Sequence, residues 1–140
     1  YDCAYVELGD PGIPHAAVPI ENLKDYDTQA LFQLGRKLRY YKDFPKGANV
    51  NFYEIIGPDH VYERTYERGV EDFTYACGTG TGSVVTVLTL LGKVSGRTLT
   101  IDVERDSAGH VTDLFLTGPT NIVCKGEITD EALDPSLLSM

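Results

Sequence analysis

Glu67-Arg-Gly-Val-Glu-Asp-Phe-Thr-Tyr-Ala-Cys-Gly-Thr-Gly-Thr-Gly82 runs through Ser83 into Val84-Val-Thr-Val-Leu-Thr-Leu-Leu91, which closes at Gly92. The second stretch would be apolar on nearly every side of a helix. Such a helix cannot face water, so other structure must surround it. The sequence therefore predicts a central apolar helix over about residues 78–92, with the remaining elements wrapped around it.

Upstream, residues 2–8 alternate weakly as a strand, a turn-rich Gly9-Asp-Pro-Gly-Ile-Pro14 follows, and Ala16 to Ile20 reads as a second short strand. From Thr28 the period changes. Leu31, Leu34, Leu38 and Tyr41 recur at helical spacing, with Asp27 or Thr28 placed to cap the start and Pro45 and Gly47 to end the region. Asn49 to Ile56 and His60 to Tyr66, joined by Gly57-Pro58-Asp59, read as a hairpin. A short piece, Phe73 to Ala76, leads into the glycine-rich segment. Downstream, strands are expected over Thr98 to Glu104, His110 to Leu116 and Asn121 to Lys125, and one helical turn in the acidic tail from Thr129 to Met140. The sum is a single α+β domain over residues 1–140, a strand-rich, barrel-like sheet around one apolar helix.

The composition narrows the function. The chain has 140 residues, 42% of them apolar and 24% charged, which suits one folded domain and excludes disordered, collagen-like and coiled-coil classes. With 21 acidic against 12 basic residues the net charge is -9, a surface that repels nucleic-acid phosphates and anionic lipid. Arg36, Lys37 and Arg39 form the densest basic patch and are expected on the solvated face of the first helix. No apolar run approaches the roughly 20 residues of a bilayer span. The opening residues have no signal-peptide pattern. The missing initiator Met suggests a segment of a longer polypeptide. Cys3, Cys77 and Cys124 match neither a disulfide framework nor a zinc pattern, and His15, His60 and His110 lack ligand spacing, so a reduced, cytoplasmic, metal-free protein is expected. Cys3 and Cys124 are read as packing residues, His60 and His110 as solvent-facing.

Chemistry concentrates around Cys77. Glycines after the cysteine leave the first backbone N–H groups of the helix without acceptors, and the helix dipole adds to their positive potential. That place suits a bound carboxylate or phosphate, and it is expected to lower the thiol pKa. An inert cysteine at a packed helix start is the alternative. Gly78, Gly80 and Gly82 fit neither the dinucleotide fingerprint nor a P-loop. Glu67 and Arg68 would point to opposite faces of a regular strand, but Gly69 permits a backbone turn that brings both to one cleft.

Glu67-Arg-Gly69 followed by Thr74-x-Ala-Cys-Gly-Thr-Gly80 resembles the second active-site motif of diaminopimelate epimerase, within the pyridoxal-independent racemases and epimerases. Gly12-Ile-Pro-His15 is similar to that family's Gly-Asn-Pro-His. Phe44-Pro45 with Asn49 and Phe52, and Thr117-Gly-Pro119, Val123 and Gly126-Glu-Ile128, resemble further stretches of its second half. Cys-Gly-Thr-Gly alone would also suit proline racemase, whereas Glu-Arg-Gly favours the epimerase branch. A phenazine-biosynthesis-like isomerase is disfavoured because Cys77 is retained.

The resemblance implies a cofactor-independent inversion at the α-carbon of an amino acid by two cysteines. Cys77 would be one of them. The N–H groups of Gly78 and Thr79 would hold the α-carboxylate, Glu67 the α-ammonium, and Arg68 with Asn49 the distal end, with His15 as a nearby polar support. The second cysteine would come from an N-terminal half outside this chain, so the chain alone would be inactive. Half of such a protein should expose an apolar interface and self-associate, a homodimer included. The sequence departs from the family pattern at Ile13, which stands in place of an Asn that contacts the distal end of the substrate, leaving another amino-acid substrate open. It also departs at Val70-Glu-Asp-Phe-Thr74, one residue longer than the family's approach to the cysteine. A non-catalytic amino-acid-binding domain is the reading from a different class.

Overall fold

A computed structural model of the chain describes residues 2–75, 77–95, 97–98 and 101–116. Strands β1 (Ala4–Leu8), β2 (Ile13–Pro19), β3 (Asn49–Gly57), β4 (His60–Glu67) and β5 (Asp72–Thr74) form one sheet in sequence order. All neighbours are antiparallel except β2 and β3, which run parallel because helix α1 (Thr28–Arg39) crosses between them. A short 3-10 turn, Leu23–Asp25, precedes α1. Helix α2 (Gly78–Leu90) follows β5. A second sheet of β6 (Arg97–Thr98), β7 (Ile101–Arg105) and β8 (Val111–Leu116) completes the described chain. The expected strand over 98–104 is thus two antiparallel strands, Thr98 pairing with Ile101. The third downstream strand, Cys124 and the acidic tail lie outside the described residues.

Period-two alternation sorts the side chains of the large sheet onto two faces. Ala16, Val18, Val50, Phe52 and Tyr66 pack with Leu31, Phe32, Leu34 and Leu38 of α1. The intervening residues, Ala17, Tyr53 and Val61, pack with Val84, Val87 and Leu88 of α2. Helix α1 begins where Asp27 accepts a hydrogen bond from the Ala30 N–H at 2.7 Å, a cap that contributes about 1 kcal/mol. It approaches β4 closely at Gly35, where an added Cβ would meet the Cβ and ring of Tyr66 at 2.9–3.0 Å.

Helix α2 lies against β1, β2 and β3 on one side and against β7 and β8 on the other. Every residue from Gly82 to Thr89 is buried, so an amphipathic pattern would have placed charge inside the domain. This is the enclosed helix expected from sequence, ending at Leu90 rather than residue 92. Among the described residues no helix is long and apolar enough to cross a membrane.

Two expectations need correction. Arg39 does not lie on a solvated face, because its Nε pairs with Glu71 at 3.1 Å and its side chain is only 13% exposed. Cys3 is not a packing residue, being exposed just ahead of β1. His60 and His110 are exposed, as expected.

Candidate active site

The α2-facing side of the large sheet is apolar at one end and polar at the other. Ala17, Tyr53 and Val61 underlie the middle of the helix. Toward the helix start, the same alternation brings in His15 on β2, Asn49 and Asn51 on β3, and Glu63, Thr65 and Glu67 on β4. Register sets His15 beside Asn49 and Asn51 beside Thr65. His15, Asn49, Asn51 and Thr65 are all buried, so their polar atoms need partners inside the protein.

Those partners form a chain. Asn51 Nδ2 donates to Glu63 Oε1 and to Thr65 Oγ1, each at 2.8 Å. Asn51 Oδ1 lies 2.9 Å from His15 Nδ1. His15 Nε2 lies 3.1 Å from the Thr79 hydroxyl, and that hydroxyl lies 3.8 Å from Cys77 Sγ.

Cys77 is the N-cap residue of α2, with extended backbone (φ -137, ψ 93). The helix ladder starts with the Thr81 N–H donating to the Cys77 carbonyl at 2.9 Å. The N–H groups of Gly78, Thr79 and Gly80 precede that bond and point out of the helix start beside the sulfur. Gly80 is required by contact. A Cβ there would collide with the Asn51 side-chain amide and lie 3.1 Å from Cys77 Sγ.

Glu67 ends β4, and the chain then turns through Gly69 (φ 90) and Glu71 (φ 59) into β5. The Glu71 N–H donates to the Glu67 carbonyl at 2.8 Å. This turn and the short β5 lie between Glu67 and Thr74. Asn49 Oδ1 accepts from the Arg68 N–H at 2.6 Å, and the Arg68 guanidinium donates to the Lys46 carbonyl at 3.0 Å. Asn49 therefore anchors the Glu67–Arg68 turn, while Arg68 itself sits exposed at the rim.

Electrostatics tie these groups to one another. Burial pushes the Cys77 thiol above its ordinary value. The Glu67 and Glu63 carboxylates add to that shift, while the Gly80 N–H and the Thr79 hydroxyl oppose it. The expected lowering at the helix start is thus outweighed by desolvation. Burial also pushes His15 down, against its Asn51 contact and the Glu67 charge, and the Arg68 charge pushes it further down. Glu63 is held high by burial despite hydrogen bonds from Thr81, Asn51 and Thr65.

Seven residues singled out from sequence, His15, Asn49, Glu67, Arg68, Cys77, Gly78 and Thr79, therefore fall in one neighbourhood. Ile13 shares the face of His15 two residues toward the start of β2 and is 44% exposed, at the rim. Asn51, Glu63 and Thr65 were missed. Their signal was the polar alternation of Asn49 with Asn51 and of Glu63, Thr65 and Glu67, in strands covered on both faces.

A family model described as diaminopimelate epimerase matches residues 9–113. The chain belongs to the diaminopimelate epimerase family. Within it, the diaminopimelate epimerase of Aquifex aeolicus is 40% identical over 134 residues, covering 88% of this chain and 46% of that protein. The diaminopimelate epimerase of Chlorobaculum tepidum is 38% identical over 136 residues, covering 92% and 51%. That of Archaeoglobus fulgidus is 40% identical over 129 residues, covering 86% and 42%. The chain spans about half the length of the curated relatives it matches. The epimerase reading of Glu67-Arg-Gly69 and Cys77-Gly-Thr-Gly80 agrees with this membership.

Proposed function

We propose that this chain supplies one half of a cofactor-independent amino-acid epimerase, acting on LL-diaminopimelate to give the meso form. The observation that carries the proposal is Cys77 at the start of α2, beside the first N–H groups of the helix and within the field of the Glu67 carboxylate, in the family's motif. The Cys77 thiolate takes the α-proton from one face of the substrate, so that the Cα–H bond breaks as an S–H bond forms. A second cysteine, in the partner half, gives its proton to the opposite face, and the configuration inverts. The reverse direction exchanges the two roles.

No prosthetic group spreads the carbanion charge in this scheme. The N–H groups of Gly78 and Thr79 hold the α-carboxylate, where that charge develops, and contribute on the order of 3 kcal/mol per donor to the transition state. Glu67 takes the α-ammonium. Asn49 and Arg68 serve the distal end, Asn49 chiefly by holding the turn that carries Arg68. The raised thiol pKa is compatible with the chemistry, because closure by the partner half and the bound ammonium change the charge around Cys77.

The setting is lysine and cell-wall precursor synthesis in the cytoplasm, and the chain alone is inactive. Ile13 supports a second reading, a related racemase with another amino acid whose distal end is apolar.

Loss of the α-proton NMR signal in D2O tests both readings. The full-length protein is incubated with a panel of amino acids including diaminopimelate, with Cys77→Ala alongside. Exchange that vanishes with Cys77 supports the proposal and names the substrate. No exchange on any amino acid by folded, reduced protein overturns it in favour of a binding domain.

A further inference from the structure

The buried chain from Glu63 to Cys77 has a direction that follows from donor and acceptor chemistry. Glu63 Oε1 accepts from both of its neighbours in the chain, Asn51 Nδ2 and Thr65 Oγ1, and does so even with a proton on the other carboxyl oxygen. Thr65 Oγ1 donates to Glu63 Oε1 at 3.4 Å, which leaves its lone pairs for the Asn51 amide nitrogen. Both neighbours of that nitrogen are therefore acceptors. Turned over, the amide would set its oxygen against the Glu63 carboxylate. Asn51 must then present Oδ1 to His15 Nδ1, and Oδ1 can only accept.

We propose that Glu63, acting through Asn51, fixes His15 in the tautomer protonated at Nδ1, so that the Thr79 hydroxyl donates to His15 Nε2 and offers only lone pairs to Cys77 while Cys77 is a thiol. Glu63 is thus a positioning residue for the cysteine, three hydrogen bonds away from the Thr79 hydroxyl. The sequence of donors runs from the Cys77 S–H to Thr79, from Thr79 to His15, from His15 to Asn51, and from Asn51 to Glu63. Each hydrogen in it has an acceptor, which suits a buried network in which an unmatched polar group is costly.

The arrangement holds Cys77 as a thiol with its hydrogen aimed at Thr79. Once the thiolate forms, the Thr79 hydroxyl serves it only by turning its own proton away from His15. The neutral ring that this argument requires agrees with the burial of His15. The functional meaning rests on the proposed acid–base role of Cys77, whereas the tautomer itself does not.

Two-bond ¹H–¹⁵N correlation spectra of the ¹⁵N-labelled full-length protein at neutral pH report the tautomer of each histidine directly. His15 is assigned by the loss of its signals in His15→Gln. In the wild type, His15 should be protonated at Nδ1 only; a ring protonated at Nε2 overturns the proposal without any variant. In Glu63→Leu, more than half of His15 should move to the Nε2 form. Glu63→Gln retains a carbonyl acceptor for Asn51 and should keep the Nδ1 form. An Asn51→Asp, Glu63→Leu double variant supplies a fixed acceptor at position 51 and should restore it. A Glu63→Leu protein that keeps the wild-type tautomer overturns the role of Glu63. These signals do not depend on turnover, so they stand or fall separately from α-proton exchange.

Discussion

His15 Nε2 and the Thr79 hydroxyl lie 3.1 Å apart although 64 positions separate them in sequence. One residue is fully buried in the sheet, and the other belongs to the first turn of α2. This contact, with Asn51 beneath Gly80, registers the helix start against the sheet. The position of Cys77 relative to Glu67 therefore depends on how closely two elements approach, and the approach depends on a missing Cβ.

Gly80→Ala tests that dependence. The new methyl would strike the Asn51 amide and crowd Cys77 Sγ. Relief requires the helix start to lift or Asn51 to swing, and either breaks the chain to His15. Overpacking of this kind costs about 1–3 kcal/mol, more than the better helix propensity of Ala returns at a first-turn position. Urea unfolding should show that loss. An unchanged midpoint would mean that the helix start is not held against Asn51.

Much of this architecture was legible in the sequence, for identifiable reasons. The all-round apolar run of α2 and the leucine spacing of α1 each admit one burial pattern, and Gly57-Pro58-Asp59 marks its hairpin. The split of the 98–104 strand was not legible, because Thr98 to Glu104 alternates without interruption. Asn51 and Glu63 are not singled out by the sequence, where polar residues in a strand ordinarily face water. Here a helix covers each face of the sheet, so the same alternation turns them inward. The direction of the thiol pKa is hidden for a related reason: the helix start is visible in sequence, but the burial that outweighs it is not.

Glu67→Gln should lower two pKa values at once. The Glu67 carboxylate raises both Cys77 and His15, since a nearby negative charge disfavours the thiolate and favours the imidazolium. Iodoacetamide labelling of Cys77 against pH, read by peptide mass, should show its midpoint move down, and the His15 NMR titration should move down with it. Movement of only one would place Glu67 away from the other.

The Glu63 carboxyl gives a pH dependence of definite sign. Burial makes it bind its proton more tightly in the folded chain than in the unfolded chain, whose value is about 4.5. Between that value and the raised folded one, folding takes up a proton, so stability falls as pH rises through the window. Glu63→Gln cannot titrate and should lack this part of the slope. Urea unfolding of both proteins across that range checks it. Parallel pH profiles would show that Glu63 is not held high in the folded protein.

Gly35→Ala separates helix propensity from packing in α1. On an exposed helix the change gains up to about 1 kcal/mol. At Gly35 the added Cβ meets Tyr66 at 2.9 Å, against a backbone-anchored ring with little room to move. The balance should be a net destabilisation of about 1 kcal/mol or more. A more stable variant would show that α1 can slide away from β4 at little cost.

Ile13→Asn addresses the substrate. Ile13 is the first residue of β2, on the same face as His15 and exposed to solvent. Its side chain offers no hydrogen bond, so a charged or polar distal group placed there would lose solvation without compensation. If diaminopimelate is the substrate, an Asn at this position adds one hydrogen bond to the bound distal group. A net bond of about 1 kcal/mol corresponds to a rise in kcat/KM of about fivefold. If the natural substrate has an apolar distal end, the same change should lower kcat/KM for it by a similar factor. Epimerisation rates of the full-length protein on diaminopimelate and on amino acids with apolar side chains distinguish the two. No change on either would place Ile13 outside the substrate's reach and remove it from the specificity argument.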